Sequence, residues 1–278
     1  MPFFSIITVT YNAEEEIKRT LDSIESQIYS DYEYVLVDGK STDKTLELVS
    51  AFYQKMHQKS IGVHIISEED NGIYNAMNKA LKYVKGKYYI FLNAGDYFAD
   101  NRVLYNVKTR LQTIQCDILY GDVILKRENY YKYETARNIQ SIKKDMPFCH
   151  QSVFVAEKVF RNLSYDEKYK ICADYDLFIR AYSEGYIFAY INIAISVYLM
   201  GGYSANNGSY VYWMERAKIS YLYGECSEKE YIDRISQVEK KYRHEKKLNI
   251  LKKCIPDCII SLGRKILLKK GGWEEKNM

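Results

Sequence analysis

The sequence predicts an α/β fold organised on a parallel, doubly wound sheet. Three observations carry that prediction. Strand-like and helix-like segments alternate as β-α-β-α-β-α-β from Phe3 to Leu92. The links between them are short. The strands end on polar or acidic residues, at the edge of an open sheet where ligands bind.

The segment Phe3-Phe4-Ser5-Ile6-Ile7-Thr8-Val9 reads as the first strand, and Asn12 is placed to cap a helix on which Ile17, Leu21, Ile24 and Ile28 recur at helical spacing. Glu33 to Asp38 reads as the second strand. After it, Ser41, Thr42 or Asp43 can cap the helix carrying Leu46, Val49 and Phe52. Val63 to Ile66 is the third strand and runs into Glu68, Glu69 and Asp70. Gly72 to Val84 is a helix with Ile73, Met77, Ala80, Leu81 and Val84 inward. Tyr88-Tyr89-Ile90-Phe91-Leu92 is a buried strand that stops on the turn Asn93-Ala94-Gly95-Asp96.

Beyond Asp96 the rhythm changes. Asp117 to Tyr120 and Gln151 to Val155 read as strands, and Val123 to Tyr133 as strand material with polar interruptions. Ala173 to Ser183 is a helix. Phe188 to Tyr190 and Ile195 to Tyr198 are late strands, Gly201 to Ser209 is a loop, and helices follow from Tyr210.

The chain has 278 residues, 47% of them apolar, enough for one large domain and an appendage. Its six cysteines form no CxxC pair, which points to a reduced, cytoplasmic setting without a disulfide framework. Cys254 and Cys258 beside His244 match no zinc-module spacing. No signal peptide precedes the first strand, and no run of about 18 apolar residues can span a bilayer. The net charge of +4 is unevenly spread: Lys240 to Met278 hold 12 Lys+Arg against 4 Asp+Glu, leaving a mildly acidic body with a basic tail.

Several chemistries are excluded by residues that are missing. Gly39-Lys40-Ser41 resembles the end of a P-loop, but that motif needs a glycine where Tyr34 stands. The turn after the first strand lacks G-x-G-x-x-G, and no G-x-S-x-G elbow occurs. What remains is a set of acids at strand ends: Asp38, Asp70 and Asp96, then Asp174 and Asp176. Asp38 can bind a ribose hydroxyl or a base edge, or serve a turn. Asp174 can cap a helix. Gathered on one sheet edge, these acids favour a ligand site.

At this point a family is recognisable. Phe4 to Asn12, Val37 to Thr45, Asp70 to Ala80, Phe91 to Asp96, His150-Gln151 and Ala173 to Arg180 resemble, in order, the motifs of family 2 glycosyltransferases. The resemblance spans about residues 3 to 205, and within the family the chain looks most like enzymes of bacterial surface polysaccharide assembly, including colanic-acid-type ones. It implies a GT-A fold: a Rossmann-like, mostly parallel central sheet flanked by helices over residues 1–209. A basic helical extension would occupy 210–278. It further implies a nucleotide-diphosphate sugar donor, a saccharide acceptor that is lipid-linked, and Mg²⁺ or Mn²⁺.

The resemblance also implies roles for individual residues. Thr10, Tyr11, Asn12, Asp38 and Asp70 would form the nucleotide pocket, with Asn78, Lys79, Asn93, Ala94 and Gly95 also on the donor side. Asp96 would hold the metal and Asp174 would be the base. His150, Gln151, Gly202 and Ser204 would lie near the acceptor or the diphosphate. Asn93 and Gly95 stand where many members have Asp, and no Gln-x-x-Arg-Trp motif of the processive branch is present. The tail, with Ile259, Ile260, Leu262, Ile266, Leu267 and Leu268 beside Arg264, Lys265, Lys269 and Lys270, suits an anionic membrane surface. A cytoplasmic protein, peripheral on the inner face of the cell membrane, is the expected setting. Packing of the tail on its own domain or a dimer partner is the equal alternative. Nucleic acid is not expected as a partner. A non-catalytic nucleotide-sugar-binding or scaffold protein and a nucleotidyltransferase are the other readings open at this stage.

Overall fold

The computed structural model describes residues 1–201, 209–224, 226–252 and 271–275, with side chains over 1–201, 210–224, 226–244 and 271–275. The chain divides into two compact units, Met1–Ile124 with Tyr133–Leu199, and Leu125–Lys132 with Met200–Met278.

The first unit opens with β1 (Phe4–Thr10), α1 (Ile17–Glu25), β2 (Tyr32–Asp38), α2 (Thr45–Gln58), β3 (Gly62–Ser67), α3 (Ile73–Ala80) and β4 (Tyr88–Phe91). These strands pair in parallel in the order β4-β1-β2-β3, as the alternation predicts. β5 (Tyr97–Phe98), α4 (Val103–Thr113), β6 (Ile118–Arg127), β7 (Tyr130–Glu134), β8 (Val153–Ala156), α5 (Glu157–Asn162), α6 (Ala173–Ser183) and β9 (Phe188–Leu199) follow. Here the sheet turns antiparallel: β8 pairs with β4 and β6, and β9 with β5 and β6. The sheet is therefore mixed, a parallel block continued by antiparallel strands.

β1 and β2 are buried along their whole length, and polar members such as Ser5 and Glu33 are hydrogen-bonded to each other. Alternate residues face opposite layers. Phe4, Ile6, Tyr34 and Leu36 share a core with Ile17, Leu21 and Ile24 of α1 and with Val49, Phe52 and Met56 of α2. Each fully buried side chain of this size contributes roughly 2 kcal/mol by leaving water.

Several boundaries differ from the sequence reading. Asn12 does not cap α1: it takes a left-handed conformation (φ 46°), and its Oδ1 accepts the Thr42 N–H at 2.8 Å. Asp43 accepts the Thr45 N–H at the start of α2, one of three candidates for that cap. α3 stops at Ala80, because Lys82 and Tyr83 donate to Lys79 O and Ala80 O and tighten the chain into a turn. The two late strands are one, β9. Strand material after Val123 is a hairpin of β6 and β7, turned at Glu128 (φ 55°).

In the second unit, α7 (Ser209–Leu222) and α8 (Glu228–Lys252) run antiparallel, with rings of Tyr210 and Tyr242 4.7 Å apart at one end and Tyr221 and Tyr231 4.8 Å apart at the other. β10 (Glu274–Glu275) pairs with Tyr130 and Tyr131. The apolar tail segment Pro256–Lys270, Gly202, Ser204, Cys254 and Cys258 lie outside the described residues. Among the described residues, no helix is long and apolar enough to cross a membrane.

At the amino-terminal edge of the parallel strands, Ser5 ties the chain together. Its Oγ donates to Glu33 Oε1 at 2.6 Å and accepts the Gly86 N–H at 2.8 Å. A Cβ on Gly86 would lie 2.6 Å from Ser5 N and 2.7 Å from Phe4 C, both backbone atoms. Gly86→Ala should therefore destabilise the protein by about 2 kcal/mol, as overpacking against backbone does, and urea unfolding of the purified variant measures this directly.

Candidate active site

The carboxyl ends of β1, β2 and β4 define the site. Parallel register sets Thr10 level with Asp38, and Gly39 N donates to Thr10 O at 2.9 Å while Ala94 N donates to Val9 O at 3.3 Å. The turns after the three strands are thereby stitched side by side.

On the β1–β2 side, Tyr11 is 63% exposed, an open aromatic face at the rim. Thr10 is buried, and its Oγ1 has no hydrogen-bond partner among the described residues. Asp70 Oδ1 accepts the Gly72 N–H at 2.9 Å, and its Oδ2 comes so close to Gly39 that a Cβ there would sit at 2.6 Å. Only glycine leaves that approach open. Asp38, implied as a nucleotide ligand, ends β2. It is fully buried, and its carboxylate accepts hydrogen bonds from Ser41 N at 3.0 Å, Ser67 Oγ at 2.7 Å and Ser41 Oγ. The residue braces the turn. Asn12 is likewise engaged with Ser41 and Thr42.

The turn after β4 is held from behind by Thr20 of α1, whose Oγ1 accepts the Gly95 N–H at 3.0 Å and donates to Asp96 O at 2.7 Å. Asp96 is 5% exposed, and its Oδ1 accepts the Leu199 N–H at 2.8 Å. Burial pushes its carboxyl up to about 8, against which the Leu199 hydrogen bond acts only partly. Asn93 Oδ1 is buried without a hydrogen-bond partner. The turn thus presents a strongly desolvated carboxyl and an unsatisfied amide oxygen, both hard oxygen donors of the kind Mg²⁺ and Mn²⁺ take. Among the described residues no three His, Cys, Asp or Glu side chains gather into a self-sufficient metal cluster. A cation here would take its remaining ligands from a diphosphate and water, so the residues present fit that group.

Asp174 lies in the first turn of α6, half-buried. Its Oδ1 accepts the Tyr175 N–H at 2.8 Å and stands 3.3 Å from the Tyr74 hydroxyl. Asp176 is turned away, buried in an ion pair with Arg180 at 2.8 Å. Cys149 links the two key acids. Burial raises its thiol well above the usual value, and the negative charges of Asp96, Asp174 and Glu134 add to that. The charges of Asp96 and Asp174 thus both act on the Cys149 thiol, although 78 positions separate the two acids in sequence.

His150 and Gln151, expected at the acceptor or diphosphate, are buried. The His150 ring stacks on Phe91 with centroids 5.7 Å apart, and Nε2 is 2.8 Å from the Tyr165 hydroxyl. Gln151 Oε1 accepts from Cys149 Sγ at 3.0 Å. Asn78 and Lys79 are also committed to the protein: Asn78 to Tyr165 and Glu167, Lys79 to Glu68 at 3.1 Å and to the Glu69 carbonyl. Sequence reasoning missed Thr20, Tyr74, Cys149, Tyr165 and Leu199, whose signals are contacts between distant segments. Only Tyr74 had a local sign, as a large residue inside the motif Asp70 to Ala80.

Burial lowers His150 to about 4, from 6.5 in the unfolded chain. Its neutral form is favoured by folding, so this stability is complete above pH 6.5 and is lost as pH falls towards 4. Between pH 7.5 and 5, the native protein should lose about 2 kcal/mol more than His150→Gln does, read from denaturant midpoints across that range.

The chain belongs to glycosyl transferase family 2, whose pattern matches residues 5–186. A PGL/p-HBAD biosynthesis glycosyltransferase of Mycobacterium tuberculosis is 32% identical over 200 residues, covering 71% of this chain and 77% of that protein. The amylovoran biosynthesis glycosyltransferase AmsB of Erwinia amylovora is 29% identical over 213 residues, covering 71% and 69%. Among solved structures, S. aureus TarS 1-349 in complex with UDP-GlcNAc aligns with a TM-score of 0.64 at 19% identity, over 84% of this chain and 71% of that one. The mannosyltransferase PcManGT from Pyrobaculum calidifontis, in complex with GDP-Man and Mn²⁺, aligns with a TM-score of 0.57 at 19% identity, over 80% and 63%. These two show a shared fold, the GT-A type. The protein is a glycosyltransferase.

Proposed function

We propose that the enzyme moves a hexosyl or N-acetylhexosaminyl group from a UDP- or GDP-sugar to a lipid-linked saccharide acceptor during assembly of a cell-surface glycan. Configuration inverts at the anomeric carbon. One observation carries the reading: the turn that ends on the buried Asp96 is stitched beside the turns after β1 and β2, at the sheet edge where open α/β folds bind ligands. Family membership favours transfer over a scaffold or nucleotidyltransferase role. The donor class is supported by the UDP-GlcNAc and GDP-Man held by fold neighbours, and the pathway class by the names of the relatives.

The residues divide the chemistry. Tyr11 offers an exposed ring for the base, and the Thr10 hydroxyl offers a hydrogen bond nearby. Asp174 takes the proton of the acceptor hydroxyl as its oxygen attacks the anomeric carbon and the bond to the diphosphate breaks. The Tyr175 amide and the Tyr74 hydroxyl fix the position of Asp174 Oδ1. Asp96 and Asn93 would hold Mg²⁺ or Mn²⁺, which, when bound, neutralises the charge that develops on the leaving diphosphate. Gly202 and Ser204 would serve the acceptor side. The cationic stretch from Lys240 onward, with 12 Lys+Arg, suits the anionic interface where a lipid-linked acceptor sits.

Two substitutions separate the roles. Asp174→Asn should lower turnover at least about 100-fold, the scale of a lost general base, while leaving nucleotide binding intact; near-normal turnover removes Asp174 as base. Asp96→Ala should abolish the Mn²⁺-dependent part of the thermal shift produced by UDP or GDP. A shift equal to that of the native protein removes Asp96 from the metal site.

A further inference from the structure

Three side chains of α3 grip the segment that leads into α6, and they bear on Asp174. Asn78 reads the backbone of Tyr165 in both directions: its Nδ2 donates to Tyr165 O at 2.9 Å, and its Oδ1 accepts the Tyr165 N–H at 3.0 Å. The same Nδ2 reaches Glu167 Oε1 at 2.8 Å, and Asn75 Nδ2 reaches Glu167 Oε2 at 3.0 Å. One helical turn earlier than Asn78, the Tyr74 hydroxyl donates to Ile171 O at 2.6 Å and stands 3.3 Å from Asp174 Oδ1. The Tyr74 and Tyr165 rings stack 5.5 Å apart, and the Tyr165 hydroxyl meets His150 Nε2 at 2.8 Å.

We infer that Tyr74 and Asn78 are positioning residues: α3 acts as a clamp on residues 163–172 and thereby fixes the reacting geometry of Asp174. This rests on Asp174 as the base, and it replaces the donor-binding role implied for Asn78. The physical reason is the local backbone. Between α5 and α6 the chain has no regular structure from Leu163 to Cys172, so its placement depends on side-chain hydrogen bonds. An amide that satisfies both the N–H and the C=O of one residue substitutes for a strand partner. Asn75 and Asn78 also engage both carboxylate oxygens of Glu167. A carboxylate base must lie within hydrogen-bond reach of the proton it takes, and a misplacement of 1 Å costs about 100-fold in rate.

The test compares the full-length native protein with Asn78→Ala and Tyr74→Phe, the second keeping the ring stack should the first fold poorly. Amide hydrogen exchange over 163–176 should quicken about tenfold in both variants, while exchange over 32–58 stays unchanged. Affinity for UDP or GDP with Mn²⁺, measured by calorimetry, should stay within about twofold, and slow hydrolysis of UDP-GlcNAc or GDP-mannose should fall about tenfold or more. Weaker nucleotide binding with unchanged exchange would return Asn78 to the donor site and overturn the clamp. Unchanged exchange and unchanged hydrolysis would overturn it as well. If the native protein binds neither nucleotide, the proposed function fails, and the exchange measurement still decides the clamp.

Discussion

Parallel pairing of β4, β1 and β2 is the constraint on which the rest depends. In a parallel ladder every strand ends at the same edge, so the turn after each strand must settle beside the turns of its neighbours. Here that brings Thr10 level with Asp38 and places the Asn93–Asp96 turn against Val9. Most polar groups at this edge are then consumed in holding the turns together. Asp38, Asn12 and Ser41 satisfy one another and the backbone. Two groups at this edge, Thr10 Oγ1 and Asn93 Oδ1, are left without a hydrogen-bond partner among the described residues.

Asp96 and Asp174 are the same residue type in different surroundings, and the surroundings support the different roles proposed for them. Asp96 is buried with one backbone donor, so its charge is expensive until a cation stands beside it. Asp174 is only half-buried, near the amino end of α6, where the helix dipole favours a carboxylate. A partly open carboxylate suits proton abstraction. A group that pays for ionisation unless a cation is near suits metal binding.

The parallel block was legible because its signals are local. Strand runs, helical spacing and polar turns all lie within a few residues of one another, and the strands from β1 to β4 lie where those patterns put them. α6 matches its expected span from Ala173 to Ser183 for the same reason. The antiparallel part was less legible. β5 is two residues long, and β9 passes through a mixed run, Tyr190 to Ala194, that reads as a break. The acids of the site were visible as types at strand ends. What distinguishes them was not: Asp38 accepts a hydrogen bond from Ser67, 29 positions away, and Asp96 is desolvated beside Leu199, 103 positions away. Asn78 shows the same limit. Its place in the motif suggested a donor contact, and its hydrogen-bond partners within the chain, 87 and 89 residues on, left no local sign.

The same geometry accounts for the missing acid in the turn after β4. Many relatives were expected to carry Asp where Gly95 stands, yet Gly95 has φ +99°, a conformation that side-chain-bearing residues rarely adopt. A Cβ there would meet Leu199 Cδ2 at 3.2 Å and Glu16 Cβ at 3.5 Å. The turn is wound tightly so that Thr20 can hold both Gly95 N and Asp96 O, and Leu199 can close over Asp96 from β9. Under that closure a second carboxylate at 95 would bring both strain and a second buried charge, while the orphaned Asn93 oxygen adds a neutral donor without that charge. One desolvated carboxylate with an amide oxygen would thus serve the cation proposed for this turn, its other ligands coming from a diphosphate.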